Sequence, residues 1–405
     1  MAILRTACGN GQREIRNPNW EELIKIANSQ MLTALFYTGV IQYNEFATCP
    51  AEQREMLQRQ TIAVVGQQAR RTQLFLQLYR SLLDAGLKPL VLKGIVCRSL
   101  YGGLADYRPS VDEDFYVPPD QVEACRQVLE RNGWILTSHE ESLDVKEQVP
   151  EIIFDDQERL LHLELHPSLF KEECQSQESY TRYFQDVEKR AITVTIEGQP
   201  VYTLGITDHY LYLFLHLAKH FSGNGVGIRQ IMDLMFFARA YKDQIDWEKV
   251  RRVVTELSSP ELYADVISIG RKLGFRAEFL FRPLQPDRLL SDSMEGGIYG
   301  NDREGDGHGT ILTIAARYPT PWERVQRFLF PSLQQLVAGR PWLRKRPWLL
   351  PVAWGQRAGR VLMSKRLQGK VTWKSLQVAH QRNQLLRSYG LLPERKSSRG
   401  RRQKK

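Results

Sequence analysis

The chain has 405 residues, of which 42% are hydrophobic and 25% charged, a composition typical of a globular protein with two or three domains. The N-terminus lacks the apolar core of a signal peptide, and no apolar run approaches the roughly 20 residues of a spanning helix, so we expect a cytoplasmic protein. Five scattered cysteines without Cys-x-x-Cys spacing indicate neither a zinc site nor a disulfide framework.

The N-terminal part, residues 1–86, has a helical pattern. Leu74, Leu78 and Leu82 recur at helical spacing and form one apolar stripe. Gly86 follows, and glycine is the usual residue just beyond a helix end. The sequence therefore predicts a helical N-terminal region that stops at this glycine.

The next part, residues 87–204, alternates strand and helix patterns. Its first strand, Leu87–Leu92, runs into Lys93 and Gly94 and then into a predicted helix over 95–101. Glycine lets the backbone approach a ligand closely, and a helix N-terminus offers free N–H groups. Lys93 and the backbone of Gly94 are therefore candidates for phosphate contacts, although Lys-Gly alone is not a specific motif.

An acidic pair stands inside an otherwise apolar strand pattern. Because side chains alternate along a strand, Asp112 and Asp114 share one face, while Val111, Glu113 and Phe115 share the other. Two adjacent carboxylates repel unless a cation neutralises them, and hard oxygen donors suit Mg²⁺ or Mn²⁺. A surface Asp-x-Asp without function is the alternative. Glu113 on the apolar face requires either water or a partner, because burying a bare carboxylate is costly.

A later strand carries a third carboxylate. Leu161–His166 alternates strictly, which places His162, Glu164 and His166 on one face and three leucines on the other. Glu164 is the natural partner of the acidic pair in a metal site. The alternative is a half-solvated strand whose polar face has no role.

Further elements are predicted around these strands. The pattern indicates a helix over 121–132 that stops at a glycine. It also indicates two hairpins, one joining 152–154 to 159–166 and the other joining 192–196 to 201–204.

Residues 205–340 are predicted to form a helical domain. Thr207 and Asp208 are candidates for the N-cap of its first helix. Arg229 and Asp233 lie four residues apart on a later helix, so we expect them to pair with each other.

The C-terminal segment, residues 341–405, is strongly basic. It contains 18 Lys or Arg against one acid, Glu394, a local charge of +17 that leaves −7 for the rest of the chain out of +10 overall. Residues 395–405 contain no apolar side chain and are predicted to be disordered. Before them, Trp342 and Trp348 are interleaved with cations, which suits an anionic membrane surface or RNA. A tail that only keeps the protein soluble is the alternative.

Three motifs resemble those of nucleotidyltransferases of the DNA polymerase β superfamily, and more closely those of a bacterial branch of nucleotidyltransferase family proteins. The resemblance covers roughly residues 30–360. Two departures are the Lys-Gly pair, where the superfamily usually has Gly-Ser or Gly-Gly, and Glu113, where an apolar residue is common. The motifs are Leu92-Lys93-Gly94, Arg108-Pro109-x-x-Asp112-x-Asp114 and Glu164-Leu165-His166.

This resemblance implies an α+β fold: a polymerase β-like core, with a mixed sheet and flanking helices, plus helical N-terminal and C-terminal regions. Residues 87–204 would form the core, residues 205–340 the helical domain and residues 341–405 the basic segment.

The resemblance also implies the roles of individual residues. Asp112, Asp114 and Glu164 would bind the metal, and Glu164 would also help to deprotonate the attacking hydroxyl. Arg108 would either neutralise the triphosphate or brace the aspartates. Arg229 would place a cation near the triphosphate.

These roles together describe an Mg²⁺- or Mn²⁺-dependent enzyme that moves a nucleoside monophosphate, AMP from ATP by default, to an unidentified hydroxyl acceptor and releases pyrophosphate. The alternative is a non-catalytic protein that keeps the fold and binds nucleic acid or a membrane surface through the basic segment. The basic segment would let a cytoplasmic enzyme associate peripherally with a membrane. Because such a protein tends to lose a carboxylate, and all three are present here, the sequence favours catalysis.

Overall fold

A computed structural model of the chain describes residues 1–137, 152–170, 180, 183–222, 225–277, 280–296, 330, 343, 346–363 and 373–391. The chain forms two compact units, Met1–Leu217 with Ile228–Pro286 and Ala218–Gly227 with Asp287–Lys405. The disorder predicted for residues 395–405 lies outside the described residues.

Helices make up most of the regular structure outside one sheet. In chain order they are α1 (Ala2–Ala7), α2 (Trp20–Ser29), α3 (Thr33–Val40), α4 (Ala51–Asp84), α5 (Gly94–Ser99), α6 (Val122–Arg131), α7 (Ile206–Ser222), α8 (Ile228–Tyr241), α9 (Trp247–Leu257), α10 (Pro260–Lys272), α11 (Pro286–Gly296), α12 (Leu350–Met363) and α13 (Trp373–Ser388). Short 3₁₀ segments lie at Asn44–Thr48, Gly102–Tyr107, Pro119–Gln121, Val187–Arg190 and Pro347–Leu349.

A mixed sheet of seven strands forms the centre of the first unit. The strands are β1 (Leu90–Val91), β2 (Asp112–Tyr116), β3 (Ile135–Leu136), β4 (Ile152–Asp155), β5 (His162–His166), β6 (Ile192–Ile196) and β7 (Gln199–Thr203). Their order is β3-β4-β5-β2-β1-β7-β6. β2 pairs with β5, and β1 with β7, in parallel, whereas the remaining neighbours are antiparallel. The chain therefore has the mixed sheet with flanking helices that the sequence predicts.

One face of this sheet packs against α4 and α6. Phe115, Leu163 and Leu165 point into this core and are fully buried, together with Tyr79 of α4 and Leu129 of α6. Alternation along β2 and β5 then sends the intervening polar side chains to the opposite face. The leucines of β5 thus fix the direction of the predicted site residues.

The predicted N-terminal helical region is present. Leu78 and Leu82 of α4 are buried, and Gly86 just beyond this helix has a φ of +80°, which suits a glycine stop. A separate apolar cluster joins α2, α3 and the start of α4 through Trp20, Phe36 and Leu57.

Both predicted hairpins and the helix after the acidic strand are confirmed, as β4–β5, β6–β7 and α6. The strand expected over Leu87–Leu92 is shorter than predicted, and only Leu90–Val91 pair in the sheet. The prediction of an N-cap at Thr207 or Asp208 is wrong, because α7 begins before both residues, at Ile206. The carboxylate of Asp208 instead accepts hydrogen bonds from Arg190 Nε at 2.7 Å and Lys249 Nζ at 2.9 Å.

Two further expectations concern cysteines and membranes. Cys8, Cys49, Cys97 and Cys125, the cysteines in the described part of the chain, are free and buried. Among the helices that the structure describes, none is both long and apolar enough to cross a bilayer.

Candidate active site

The parallel pairing of β2 with β5 brings the predicted acidic residues onto adjacent strands. Asp114 lies opposite Glu164, and Asp112 lies opposite His162. Parallel neighbours are about 4.8 Å apart, so side chains on the same face of the two strands meet directly. Residues some 50 positions apart in the sequence therefore share one patch of the sheet.

The tightest cluster on this face consists of two carboxylates and one imidazole. His166 Nε2 is 3.0 Å from Asp114 Oδ1 and 3.4 Å from Glu164 Oε2. One ligand atom from each of these three residues lies within 4.8 Å of the other two. The Asp114 side chain is only 2% exposed, whereas Glu164 remains open to solvent in part. The cluster combines one buried carboxylate with one carboxylate that a ligand can reach.

Lys93 supplies a cation to the same cluster. Its Nζ lies 3.0 Å from Asp114 Oδ2 and 3.3 Å from His216 Nε2. Burial, the largest single influence, lowers the pKa of Lys93, but the negative groups around it, foremost Asp114 and to a lesser degree Asp112, raise that pKa above its usual range. Lys93 is therefore charged and in place beside the carboxylates.

The charges of Asp114 and His166 depend on each other. Burial alone would raise the pKa of Asp114, but Lys93 and His166 outweigh it and hold that pKa below its usual range. Burial would lower the pKa of His166, but its hydrogen bonds to Asp114 and Glu164 raise it to about 9. At neutral pH the buried carboxylate is thus flanked by two cations, an ammonium and an imidazolium.

Asp112 lies at the edge of this arrangement. In the described part of the chain, Asp114, Glu164 and His166 are the residues whose carboxylate or imidazole atoms all lie within 4.8 Å of one another. Asp112 does not belong to this group. Opposite Asp112, His162 Nδ1 makes a short hydrogen bond with Asp155 Oδ1. The acidic pair predicted from the sequence is on one face, but its two members have different neighbours.

Glu113 has a structural partner on the apolar side of β2. Its Oε2 accepts a hydrogen bond of 2.9 Å from the backbone N–H of Ile95 in the first turn of α5. Burial raises the pKa of Glu113 to about 8, although Arg98 and this N–H act in the opposite direction. Of the two alternatives that the sequence left open for Glu113, water or a partner, the structure shows a partner.

Gly94 makes room for that carboxylate. Its φ is +50°, and a Cβ at this position would lie 2.0 Å from Glu113 Oε2. The helix N-terminus that the sequence assigns to phosphate contacts therefore already has the N–H of Ile95 engaged by Glu113. Gly94 thus allows the close approach of a side chain of the protein itself, and its contact with a phosphate stays a prediction.

Arg108 braces a different carboxylate from the expected one. Its Nε and Nη2 donate to Asp233 Oδ1 and Oδ2 at 2.9 and 2.6 Å, and Tyr101 donates to the same Oδ1 at 2.8 Å. The predicted pair of Arg229 with Asp233 is replaced by these contacts, and Arg229 Nη1 donates to the backbone oxygen of Pro109 at 2.8 Å. Both arginines thus fasten α8 to the segment just before β2.

Two side chains of α7 border the site and were not singled out from the sequence as site residues. His216 contacts Lys93, and the ring of Tyr212 lies 5.5 Å from the ring of His216. Burial raises the pKa of Tyr212 above its usual range, so its hydroxyl stays protonated. Their signal in the sequence is weak, since aromatic residues at helical spacing are more often part of a core.

The comparisons with known proteins give one family. A family model described as an uncharacterised nucleotidyltransferase matches residues 16–270, well over half of the chain. The chain belongs to this family. Searches of curated proteins and of solved structures each found no match. As a member of this family the protein is an enzyme of the nucleotidyltransferase kind, and the matched region contains all seven strands and Lys93, Asp114, Glu164 and His166.

The residues at the site fit a divalent metal. Carboxylate oxygens suit Mg²⁺ or Mn²⁺, and the imidazole of His166 can act as a ligand once metal binding has displaced its proton. The ammonium of Lys93 already lies against the most buried carboxylate, which shows that this position accommodates a cation.

Proposed function

We propose that the protein is a metal-dependent nucleotidyltransferase with a polymerase β-like core. It transfers a nucleoside monophosphate, AMP from ATP by default, to a hydroxyl acceptor and releases pyrophosphate. The observation that carries this proposal is the group of Asp114, Glu164 and His166 with Lys93 beside it, inside the region that matches the family.

Each residue has a role in this reaction. Asp114 and Glu164, with His166 and Asp112, would hold Mg²⁺ or Mn²⁺, which when bound neutralises charge on the triphosphate. Lys93, a cation beside the carboxylates, contacts phosphate oxygens. Glu164, the more accessible carboxylate, accepts the proton of the acceptor hydroxyl as that oxygen attacks the α-phosphorus and pyrophosphate departs.

Arg108 and Arg229 act indirectly in this proposal. Their guanidinium groups are engaged by Asp233 and by the backbone of Pro109, so they hold α8 against the segment that leads into β2. A buried bidentate arginine–aspartate pair gives this segment a defined geometry. Because both arginines are engaged in these contacts, we assign the binding of the triphosphate to Lys93.

The test is a comparison of Glu164→Gln with Glu158→Gln. Glu158 is an exposed carboxylate in the turn before β5, so it controls for loss of charge. The full-length protein is incubated with α-labelled ATP, Mg²⁺ or Mn²⁺, and either a sugar mixture or RNA, and pyrophosphate release and label transfer are measured. We expect Glu164→Gln to lower both by about 100-fold or more, since the metal and the proton acceptor are both affected.

A second experiment needs no acceptor: calorimetry measures the binding of a non-hydrolysable ATP analogue to each protein, with and without Mn²⁺. Wild type and Glu158→Gln should bind the analogue only when metal is present, and Glu164→Gln should bind it much more weakly. Equal metal-dependent binding by all three proteins would contradict the proposed site.

A further inference from the structure

One helix face of the second unit leaves apolar side chains in water. The 3₁₀ turn Pro347–Leu349 leads directly into α12, and five exposed residues follow one another at helical spacing across this junction. We call this surface the Trp348 face, and it consists of Trp348, Pro351, Val352, Gly355 and Gln356. Trp348 is 71% exposed and Val352 is 49% exposed.

The opposite side of the same helix is packed. Leu343 and Ala353 are fully buried, and Leu349, Leu350 and Trp354 pack against them. The helix therefore packs against the protein on that side, and the Trp348 face is exposed to solvent. Of the large apolar side chains exposed in the described part of the chain, Trp348 is the most exposed. Single exposed apolar residues are common, but a tryptophan and a valine one turn apart make a small continuous patch.

The sequence on both sides of this face carries charge of a single sign. Residues 324–393 contain 14 Lys or Arg and no Asp or Glu. Arg346, directly before the 3₁₀ turn, is exposed, and Arg357 and Arg360 come after the Trp348 face in the sequence. A basic segment of this kind attracts anionic lipid headgroups.

We infer that the Trp348 face is a docking surface for an anionic lipid bilayer. Tryptophan favours the headgroup level, where its ring is half in contact with acyl chains, while the exposed Arg346 beside it meets lipid phosphates. Val352 and Pro351 decide between a bilayer and RNA. An RNA surface would use the indole ring for stacking, but it offers no matching environment for an exposed aliphatic side chain. The attachment is peripheral, and it does not depend on the proposed nucleotidyl transfer.

The experiment measures co-sedimentation of the full-length protein with phosphatidylcholine vesicles that contain or lack phosphatidylserine, at low and at moderate salt. The test variant is Trp348→Ser with Val352→Ser. The control is Ile62→Ser, since Ile62 of α4 in the first unit is 65% exposed and loses a similar apolar side chain. Thermal melting of each protein checks that the substitutions at these exposed positions do not disturb the fold.

We expect wild type and Ile62→Ser to bind the phosphatidylserine vesicles equally, with weaker binding at higher salt. The double variant should bind at least about tenfold more weakly, because burial of two apolar side chains is lost. Trp348→Phe, which keeps a large ring, should retain most of the binding.

Three results would overturn the inference. The double variant could bind the vesicles as wild type does, or Ile62→Ser could lose as much binding as the double variant. The third is a double variant that loses binding to single-stranded RNA but not to vesicles, which would assign this face to nucleic acid.

Discussion

At the scale of single residues, Asp114 is not the repelling carboxylate that its place in an Asp-x-Asp pair suggests. Lys93 and His166 lie 3.0 Å from its two oxygens. Two neighbouring carboxylates do repel, but here two cations outweigh that repulsion before any metal is bound. Removing Asp114 would leave the half-buried ammonium of Lys93 without its carboxylate partner, so we expect no gain in stability from relief of charge repulsion.

The position of Lys93 makes it a competitor for the metal and a ligand for the nucleotide. With Lys93→Gln, Mn²⁺ alone should bind about tenfold more tightly, because no ammonium then occupies the carboxylate. Binding of a non-hydrolysable ATP analogue in the presence of metal should weaken by about tenfold or more, because a charge-assisted hydrogen bond of about 1.5–3 kcal/mol is lost. Calorimetry or the electron paramagnetic resonance of Mn²⁺ measures both effects.

Lys88→Gln is the matched control for this pair of effects. Lys88 lies five residues earlier, is exposed and sits over the ring of Tyr202. Its removal should change neither affinity. Changes of the same sign for metal and nucleotide in Lys93→Gln would contradict the dual role.

At the scale of elements, the contact between β2 and α5 depends on one glycine. Gly94→Ala would place a Cβ 2.0 Å from the Glu113 carboxylate, which must then move and give up the N–H of Ile95. Gly102→Ala is the control, since Gly102 has a similar φ of +58° but nothing within 4 Å of its added Cβ.

Both alanine variants share the cost of a left-handed residue, about 1–2 kcal/mol. Gly94→Ala should lower the free energy of unfolding by roughly 2 kcal/mol more, from the clash and the lost hydrogen bond. Urea unfolding measures the difference. Equal destabilisation of the two variants would mean that the Glu113 carboxylate relocates freely.

Local elements could be predicted from the sequence, because they depend on alternation and helical spacing. The β4–β5 hairpin, α6 and the stop at Gly86 are examples, and so is the shared face of Glu164 and His166. What could not be predicted are the partners of buried charges. Asp233 lies 125 residues from Arg108, and the choice between it and a neighbouring acid depends on how α8 packs, which one sequence does not reveal.

The same limit explains what was missed around the site. The Lys-Gly pair predicts phosphate contacts, but it did not show that the carboxylate of Glu113 lies close to Gly94. His216 and Tyr212 come from α7, and their helical spacing reads as core packing. The sequence around His216 and Tyr212 does not indicate that Lys93, which follows Leu92, lies next to His216 in the fold.

At the scale of the whole molecule, the titration of Glu113 and His166 couples stability to pH. The pKa of Glu113 is about 8 in the folded protein, above its ordinary value near 4.5, so the folded state holds a proton that the unfolded state releases. Stability therefore falls as the pH rises through this window, with a slope of up to about 1.4 kcal/mol per pH unit. His166, with a pKa of about 9, adds stability that is complete below its ordinary value near 6.5 and is lost as the pH rises through 9. Asp114 acts at the acidic end, where protonation would remove its pairing with Lys93 and His166.

Glu113→Gln separates these contributions. The amide oxygen can still accept the N–H of Ile95, but it carries no charge at any pH. Buried His209, whose pKa is lowered to about 4 by burial, adds stability in both proteins as the pH rises to about 6.5. Measured by urea unfolding from about pH 5 to about pH 9, the stability of wild type relative to Glu113→Gln should therefore fall by up to about 1.4 kcal/mol per pH unit until the pH passes 8. Glu130→Gln, which removes a half-exposed carboxylate that pairs with Arg126 on α6, should follow the wild-type curve. A Glu113→Gln curve parallel to that of wild type would show that Glu113 is already ionised in the folded protein at pH 5, with Arg98 and the N-terminus of α5 outweighing its burial.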